Sequence, residues 1–377
     1  MPHKSRRTLA LVAVLAVVVI GIAAQEIRYE LRSYSVLAHF ADPESSGSLL
    51  RWESNPVVVD DVSVPSAGSA AAARLYLPIG VSRPPGIVLI HGIHHLGIAD
   101  PRFVNFARAL AGDGFAVLTP LLTALADYRV DAASISLIGE SSQWLENRLG
   151  TGPPVVIALS FGGGLALLAA ADARFAPHIR AVVSFGGYHS LARVSRFLAT
   201  DEAQLPDGRF VPFKAHDYGA AVFVYAHLGR FFDPSDLPAA HEAIRLWLWE
   251  QPEEARARLA KLTPGGRAIV EALLARRIDV LRKQLLDAIH ADAAQLDAFS
   301  PEGKISKLAV PVFIVHGSAD NVIPYTESLW LEREVPKEML RGMLITSVFS
   351  HVDPQGSSLY QRLRLVHFMA KVLRSAS

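Results

Sequence analysis

The sequence predicts an α/β fold, with a mainly parallel sheet of about eight strands that carries helices on both faces. From residue 57 onward, short apolar β-branched runs alternate with helical stretches, and this alternation is typical of a parallel sheet covered by helices. The chain has 377 residues and is 51% hydrophobic, which is enough apolar material for a large core. Helical sequence between residues 188 and 300 interrupts the alternation and predicts an inserted cap.

Eight segments have strand character. The first two, 57–64 and 73–78, have no helix between them and are expected to pair antiparallel. The continuous apolar run 86–92 is typical of a strand that is covered on both faces. The other predicted strands are 115–122, 154–160, 179–187, 310–320 and 342–351. Helical spacing predicts helices at 103–114, 134–149, 164–175, 239–251, 266–296 and 359–375.

The first 25 residues differ in character from the rest of the chain. Lys4, Arg6 and Arg7 precede an uncharged apolar stretch, residues 8–25. This order of charges predicts that the N-terminus stays in the cytoplasm and that the following domain is exported, to the periplasm in a bacterium. Residues 8–25 would then anchor the protein in the membrane. The alternative is a signal peptide that is cleaved near residue 24, which would release a secreted protein.

The domain boundaries follow from these patterns, and the composition excludes nucleic-acid binding and cysteine chemistry. The predicted divisions are an anchor or signal at 1–25, a juxtamembrane segment at 26–55, a core at 56–187 and 301–377, and a helical cap at 188–300. Lys and Arg number 37 and Asp and Glu number 36, so no basic field is present to attract nucleic acid. The absence of cysteine excludes disulfides, thiol catalysis and cysteine-bound zinc.

Two similar stretches, "ALSFGGG" around Ser160 and "VVSFGGY" around Ser184, each place a serine after an apolar run. A serine in a tight strand-to-helix turn can act as a nucleophile only if the residues two before and two after it are small. Ser160 has Ala158 and Gly162 at these positions, whereas the β-branched Val182 precedes Ser184. Ser160 is therefore the predicted nucleophile, and Ser184 is expected to be a strand end on a pocket floor.

The motif around Ser160 resembles the nucleophile elbow of the α/β-hydrolase fold superfamily, with Ala158 where glycine is usual. The resemblance extends from about residue 57 to the end, apart from the cap, and implies a triad in the chain order serine, acid, histidine. It implies Asp320, in the loop after the seventh predicted strand, as the acid and His351, before the last helix, as the base. Weaker alternatives are Asp233, Asp236 and Asp353 for the acid, and His290 and His367 for the base.

Two backbone N–H groups are expected to bind the oxyanion of the reaction intermediate, those of Phe161 and Ile93. Ile93 lies in the loop "HGIHHLG", where the N–H of His94 is the alternative donor. His91, His94 and His95 also suggest a metal site, but three ligands would have to converge from one tight loop. No metal and no cofactor is predicted.

The resemblance implies a serine hydrolase that cleaves an ester or related acyl bond of a small-molecule substrate through an acyl-enzyme. The cap is rich in large aromatic residues, which favour an apolar substrate: Phe210, Phe213, Tyr218, Phe223, Tyr225, Phe231, Phe232, Trp247 and Trp249. An acyltransferase with the same triad is one alternative. A catalytically idle, membrane-tethered binding protein on the same fold is another.

Overall fold

The computed structural model describes residues 3–42, 54–66, 69–349 and 358–377, without the side chains of residues 3–20 and 22. The strands of this part are β1 (Val57–Ser66), β2 (Ser69–Pro78), β3 (Gly86–Ile90), β4 (Ala116–Pro120), β5 (Val155–Leu159), β6 (Ala181–Phe185), β7 (Glu202–Gln204), β8 (Phe210–Pro212), β9 (Val312–Gly317) and β10 (Leu340–Thr346). Eight of them form one sheet in the order β1-β2-β4-β3-β5-β6-β9-β10, and β7 and β8 form a separate hairpin.

The main sheet is largely parallel. Strand β2 pairs antiparallel with β1 and β4, and the five remaining neighbouring pairs are parallel. Every residue of β3, β4 and β6 is buried, as expected for apolar strands that are covered on both faces. The prediction of a mainly parallel, eight-stranded sheet with helices on both faces is confirmed.

Helices cover both faces of this sheet and also build the cap. They are α1 (His3–Ala41), α2 (Pro101–Gly112), α3 (Thr123–Ala126), α4 (Ala132–Leu149), α5 (Phe161–Ala171), α6 (Leu191–Thr200), α7 (Asp217–Ala226), α8 (Leu237–Leu248), α9 (Pro252–Arg258), α10 (Pro264–Leu274), α11 (Arg282–Ala291), α12 (Ala293–Ala298), α13 (Thr326–Glu334) and α14 (Leu359–Ala376). Helices α4 and α5 share one apolar core with the cap. Helices α1, α2 and α14 build the core on the opposite face.

Helices α6 to α12 lie between β6 and β9 in the chain, and the described residues of this cap segment add no strand to the main sheet. The prediction of a single long helix over 266–296 is wrong. Helix α10 ends because Arg276 has a left-handed backbone with φ of 60°, and α11 begins only at Arg282. The short β7–β8 hairpin was not expected from the sequence, because three-residue strands leave almost no periodicity.

The C-terminal half of α1 is an integral part of the core. Val36 is 1% exposed, and the hydroxyl of Ser33 donates a hydrogen bond of 2.6 Å to the carbonyl oxygen of Val366 in α14. The guanidinium of Arg32 binds the carboxylate of Asp113 at 2.9 Å beyond the end of α2. The segment expected to be merely juxtamembrane therefore docks on the fold between residues 29 and 40. Among the described residues, no helix combines the length and apolar character that crossing a membrane requires.

Candidate active site

Ser160 occupies a sharp turn between β5 and α5. Its backbone has φ of 54° and ψ of −130°, a combination that L-residues rarely adopt. Its N–H donates to the carbonyl oxygen of Phe185 at 2.7 Å, which ties the turn to the end of the neighbouring strand β6. Because the next residue, Phe161, is the first of α5, its N–H has no partner within the helix and points out of the helix end.

Close backbone packing around Ser160 explains the small residues of the motif. A Cβ on Gly162 would lie 2.8 Å from the carbonyl oxygen of His91, which is closer than real side chains come. A Cβ on Gly92 would lie 3.0 Å from the Cβ of Ser160. The loop that follows β3 therefore approaches the serine at a distance that only glycine permits.

Ser184 lies in a different environment, although its local sequence is nearly the same. It is fully buried within β6, and its hydroxyl has no hydrogen-bond partner. Its Oγ lies between Gly163 and Gly187, where a Cβ on either glycine would come within 2.7 Å of it. The expectation that Ser184 lines a pocket floor is wrong, because α5 covers this serine completely. Ser160, in contrast, opens into a cavity.

Asp320 lies in the loop after β9 and is fully buried. Its Oδ1 accepts hydrogen bonds from the N–H groups of Val322 and Ile323, at 2.9 and 3.0 Å. His316 supports the same loop, because its Nε2 lies 2.9 Å from the carbonyl oxygen of Ile323 and 3.4 Å from Oδ2 of Asp320. The carboxylate is thus held in one orientation beside the cavity, whose wall includes Val322.

His351, the predicted base, lies outside the described residues, as does Asp353. The last described residue before it, Phe349, is buried and stacks on Phe185 with the ring centroids 4.6 Å apart. Phe185 is the residue whose carbonyl oxygen binds the N–H of Ser160. The chain thus enters the undescribed segment next to the serine turn.

The weaker alternatives for the acid and the base have other contacts. Asp236 binds Thr263 within the cap. His367 lies 2.6 Å from Glu30 of α1. His290 is exposed on α11. None of these three lines the cavity at Ser160.

His91 holds the loop that carries Ile93. Its Nε2 accepts the N–H of Leu122 at 3.1 Å, and its Nδ1 lies 2.8 Å from the carbonyl oxygen of Gly92. These partners require a neutral ring with the proton on Nδ1. Burial lowers the pKa of His91 to about 4, so this neutral form is the one present at ordinary pH. Because C=O and N–H of one trans peptide point in opposite directions, the bond to Gly92 also fixes the direction of the Ile93 N–H.

The other histidines of this loop have separate roles. Burial lowers the pKa of His94, although the nearby charge of Asp100 opposes this effect. His95 stacks between His94 and Trp249 of the cap. Both nitrogens of His91 are occupied by hydrogen bonds, so this ring is not available to bind a metal together with the other two. No cluster of metal-ligating side chains occurs among the described residues.

The cavity at Ser160 has a volume of about 740 Å³ and lies between the core and the cap. The core contributes Ser160, Ile93, His94 and Tyr128, and the cap contributes His216, Tyr218, Trp247, Leu248, Glu250 and Arg276. Charged residues occur on both sides of it, since Asp100 and Arg102 also line the core wall. Burial would raise the pKa of Asp100, but hydrogen bonds from Arg102 outweigh it and lower that pKa.

Of the nine cap aromatics that favoured an apolar substrate, only Tyr218 and Trp247 line this cavity. Phe223, Tyr225, Phe231 and Phe232 are buried in the interior of the cap. Trp249 lines a separate pocket, and Phe210 is exposed on the hairpin. Aromatic content alone did not distinguish residues that pack within the cap from residues that face the cavity.

A family model described as alpha/beta hydrolase fold matches residues 85–343. The chain belongs to the alpha/beta hydrolase family. The match spans most of the sheet and the whole cap, so the resemblance that was inferred from the motif around Ser160 is confirmed. The chain is a hydrolase of this family, and its subclass stays open.

Solved structures similar to this alpha/beta hydrolase include several hydrolases. The esterase domain of a Rhodothermus marinus protein is 16% identical, with 84% of this chain and 96% of that chain covered and a TM-score of 0.44. An esterase from Pyrobaculum calidifontis is 16% identical, with 94% and 92% covered and a TM-score of 0.45. A meta-cleavage product hydrolase from Pseudomonas fluorescens IP01 is 16% identical, with 84% and 98% covered and a TM-score of 0.45. A search of curated protein sequences finds no significant match.

The low pKa of His91 predicts an acid-sensitive fold. The unfolded chain binds a proton at this ring near pH 6.5, whereas the folded protein binds it only near pH 4. Between these values the unfolded state carries more protons, so lowering the pH favours unfolding. We expect His91 to remove about 2 kcal/mol of folding free energy between roughly pH 7 and pH 5.

The measurement is urea unfolding of wild type and His91→Gln at both pH values. The glutamine variant should be less stable at pH 7 but should lose about 2 kcal/mol less than wild type on going to pH 5. His290→Gln, which changes an exposed cap histidine, should follow the wild type. A His91→Gln variant with the same pH dependence as wild type would show that folding does not lower the pKa of His91.

Proposed function

We propose that this alpha/beta hydrolase is a serine esterase, which cleaves a carboxylic ester or related acyl bond through an acyl-enzyme. The observation that carries the proposal is the backbone of Ser160. This residue keeps a strained left-handed conformation that glycine would adopt without cost, and its side chain opens into the cavity. Strain of this kind is typical of a nucleophile held at a strand-to-helix turn.

In the first half of the reaction, Oγ of Ser160 attacks the carbonyl carbon of the substrate while His351 takes its proton. Asp320 orients the imidazole and stabilises its positive charge. The N–H groups of Phe161 and Ile93 bind the oxygen that becomes negative in the tetrahedral intermediate. Collapse of the intermediate breaks the bond to the leaving alcohol, which receives the proton from His351.

In the second half, the same groups act on water. His351 takes a proton from a water molecule, whose oxygen attacks the acyl carbon. The tetrahedral intermediate then releases the carboxylic acid, and the proton returns to Oγ of Ser160. The chemistry needs only side chains and backbone groups of the chain, so the proposal includes no metal and no cofactor.

Two contacts support the roles of Asp320 and His351. Two backbone N–H groups hold Oδ1 of Asp320 and His316 lies 3.4 Å from Oδ2, so the carboxylate that would orient the imidazole of His351 is fixed in position. The stacking of Phe349 on Phe185 brings the chain close to Ser160 just before His351.

The cavity volume suits a small-molecule ester. Apolar contacts to part of the substrate can come from Leu159, Trp247 and Leu248. The proposed substrate therefore has an apolar acyl or alcohol group. Charged residues on the same walls indicate that the rest of the substrate is polar. p-Nitrophenyl esters of graded chain length would define the apolar part.

Replacing Ser160 tests the function directly. A fluorophosphonate probe should label wild type and Ser184→Ala, and should not label Ser160→Ala. Hydrolysis of p-nitrophenyl acetate should fall by about 10⁴-fold in Ser160→Ala, because the nucleophile is lost. Ser184→Ala should keep wild-type activity and stability, since the lost hydroxyl has no hydrogen-bond partner. Equal labelling of Ser160→Ala and wild type would refute the assignment.

We also propose that residues 8–25 anchor the protein in a membrane, with the catalytic domain outside the cytoplasm. The support is the sequence: Lys4, Arg6 and Arg7 precede an uncharged apolar stretch. Full-length protein should resist carbonate extraction and should be degraded by protease that is added from the non-cytoplasmic side. A soluble form that begins near residue 24 would instead show a cleaved signal peptide. Protection from external protease in spheroplasts would refute the orientation.

A further inference from the structure

The strained residues of this protein cluster around one cavity. Among the described residues, five that are not glycine have a left-handed backbone: Tyr128, Ser160, Asp201, Glu250 and Arg276. All except Asp201 line the cavity at Ser160. Such a conformation costs about 1 kcal/mol or more for an ordinary residue, and it persists at functional sites where the side chain is needed.

Glu250 and Arg276 occupy the position after a helix C-terminus where glycine is the usual residue. Each lies two residues beyond the last residue of a cap helix, α8 or α10, and closes it with the hydrogen-bond pattern of a Schellman motif. In α8, for example, the N–H of Gln251 binds the carbonyl oxygen of Leu246 at 2.9 Å. At the end of helix α4 the left-handed residue is a glycine, Gly150, with φ of 62°. Two helix ends that line the cavity therefore carry a charged residue instead of glycine.

Asp201 provides a contrast, because its side chain has a structural role. It also follows a helix, α6, but its carboxylate accepts the N–H of Ala215 and binds Lys214, both at 2.9 Å. The carboxylate of Glu250 makes no hydrogen bond or ion pair with the described part of the chain. The contacts of its side chain therefore explain why Asp201 has a left-handed backbone. No such contact explains the left-handed backbone of Glu250.

Glu250 is exposed to solvent at the cavity, and the cations of the cavity walls are paired with other carboxylates. Asp100 and Arg102 bind each other at 3.0 Å, and Arg276 lies 3.4 Å from Asp217. Glu250 lines the same cavity as His94 and Tyr128 of the core wall. The aromatic rings of Tyr128 and Trp247 line the same cavity, and such rings attract cations.

We propose that Glu250 is a specificity residue that binds a cationic group of the substrate, so that the enzyme prefers esters carrying an ammonium. Arg276 lines another part of the cavity wall, where it pairs with Asp217. Asp217 precedes Tyr218, which also lines the cavity. Because Asp217 compensates the charge of Arg276, this guanidinium does not occupy the carboxylate of Glu250. This inference rests on the proposed esterase function and adds the class of substrate.

Isosteric ester pairs test the preference. Choline esters are compared with 3,3-dimethylbutyl esters of the same acid, which places the charge on the alcohol side. p-Nitrophenyl 4-(trimethylammonio)butanoate is compared with p-nitrophenyl 5,5-dimethylhexanoate, which places it on the acyl side. In at least one pair, wild type should show a kcat/KM roughly tenfold higher for the cationic ester. The ratio should fall when salt is raised from about 10 mM to about 500 mM.

Two variants of Glu250 separate a binding role from a structural one. In Glu250→Gln, the ratio of cationic to neutral kcat/KM should fall to near one. Glu250→Gly should lose the same preference, while its melting temperature stays the same or rises by about 1–2 °C because the backbone strain is relieved. Asp201→Gly, the matched change away from the cavity, should keep the wild-type preference.

Several results would overturn the inference. One is that wild type has the same kcat/KM for the cationic and the neutral ester of each pair. Another is that Glu250→Gln keeps the preference for the cationic ester. A lowered melting temperature in Glu250→Gly, with equal losses on cationic and neutral esters, would also overturn it by showing a structural role. Hydrolysis of neutral esters without a charge preference would leave the esterase function standing. No hydrolysis of any ester would refute both.

Discussion

The left-handed turn at Ser160 is the constraint on which the rest of the site depends. A serine with φ of 54° is stable only if its surroundings hold it there, and here both neighbouring strands contribute. Phe185 binds the N–H of the serine from β6, and Gly92 brings the loop after β3 against its side chain. The same turn starts α5, so the strained serine and the first free N–H of the helix are fixed by one piece of backbone.

A second constraint acts through His91, whose two ring nitrogens both bind backbone groups. Because the ring is buried and neutral, it joins the loop after β3 to Leu122 and determines how the Gly92–Ile93 peptide lies. Tyr128 then links this core wall to the cap, since its hydroxyl donates to the carbonyl oxygen of Leu248 at 2.7 Å. The cavity therefore has a rigid floor, and its specificity depends on side chains from two cap helix ends.

Much of the core could be predicted from the sequence, because its signals are local. Short apolar runs identified all eight strands of the main sheet, and the contrast between Ala158 and Val182 favoured Ser160 over Ser184. The cap was harder, since the end of α10 depends on Arg276 in a conformation that is rare for arginine. The docking of α1 was missed because Arg32 and Asp113, which hold it, are 81 residues apart in the chain. The charged wall was also missed, since only the folded cap brings Glu250 to the cavity.

Whether Ser160 and the two backbone N–H groups form the reaction centre can be seen in a crystal structure of the enzyme after reaction with a p-nitrophenyl alkylphosphonate, because the adduct imitates the tetrahedral intermediate. We expect phosphorus bonded to Oγ of Ser160. We also expect the phosphoryl oxygen to lie about 2.7–3.1 Å from the backbone nitrogens of Phe161 and Ile93, with the ring of His351 beside Oγ. Phosphorus on another residue, or a phosphoryl oxygen turned away from both nitrogens, would contradict this assignment.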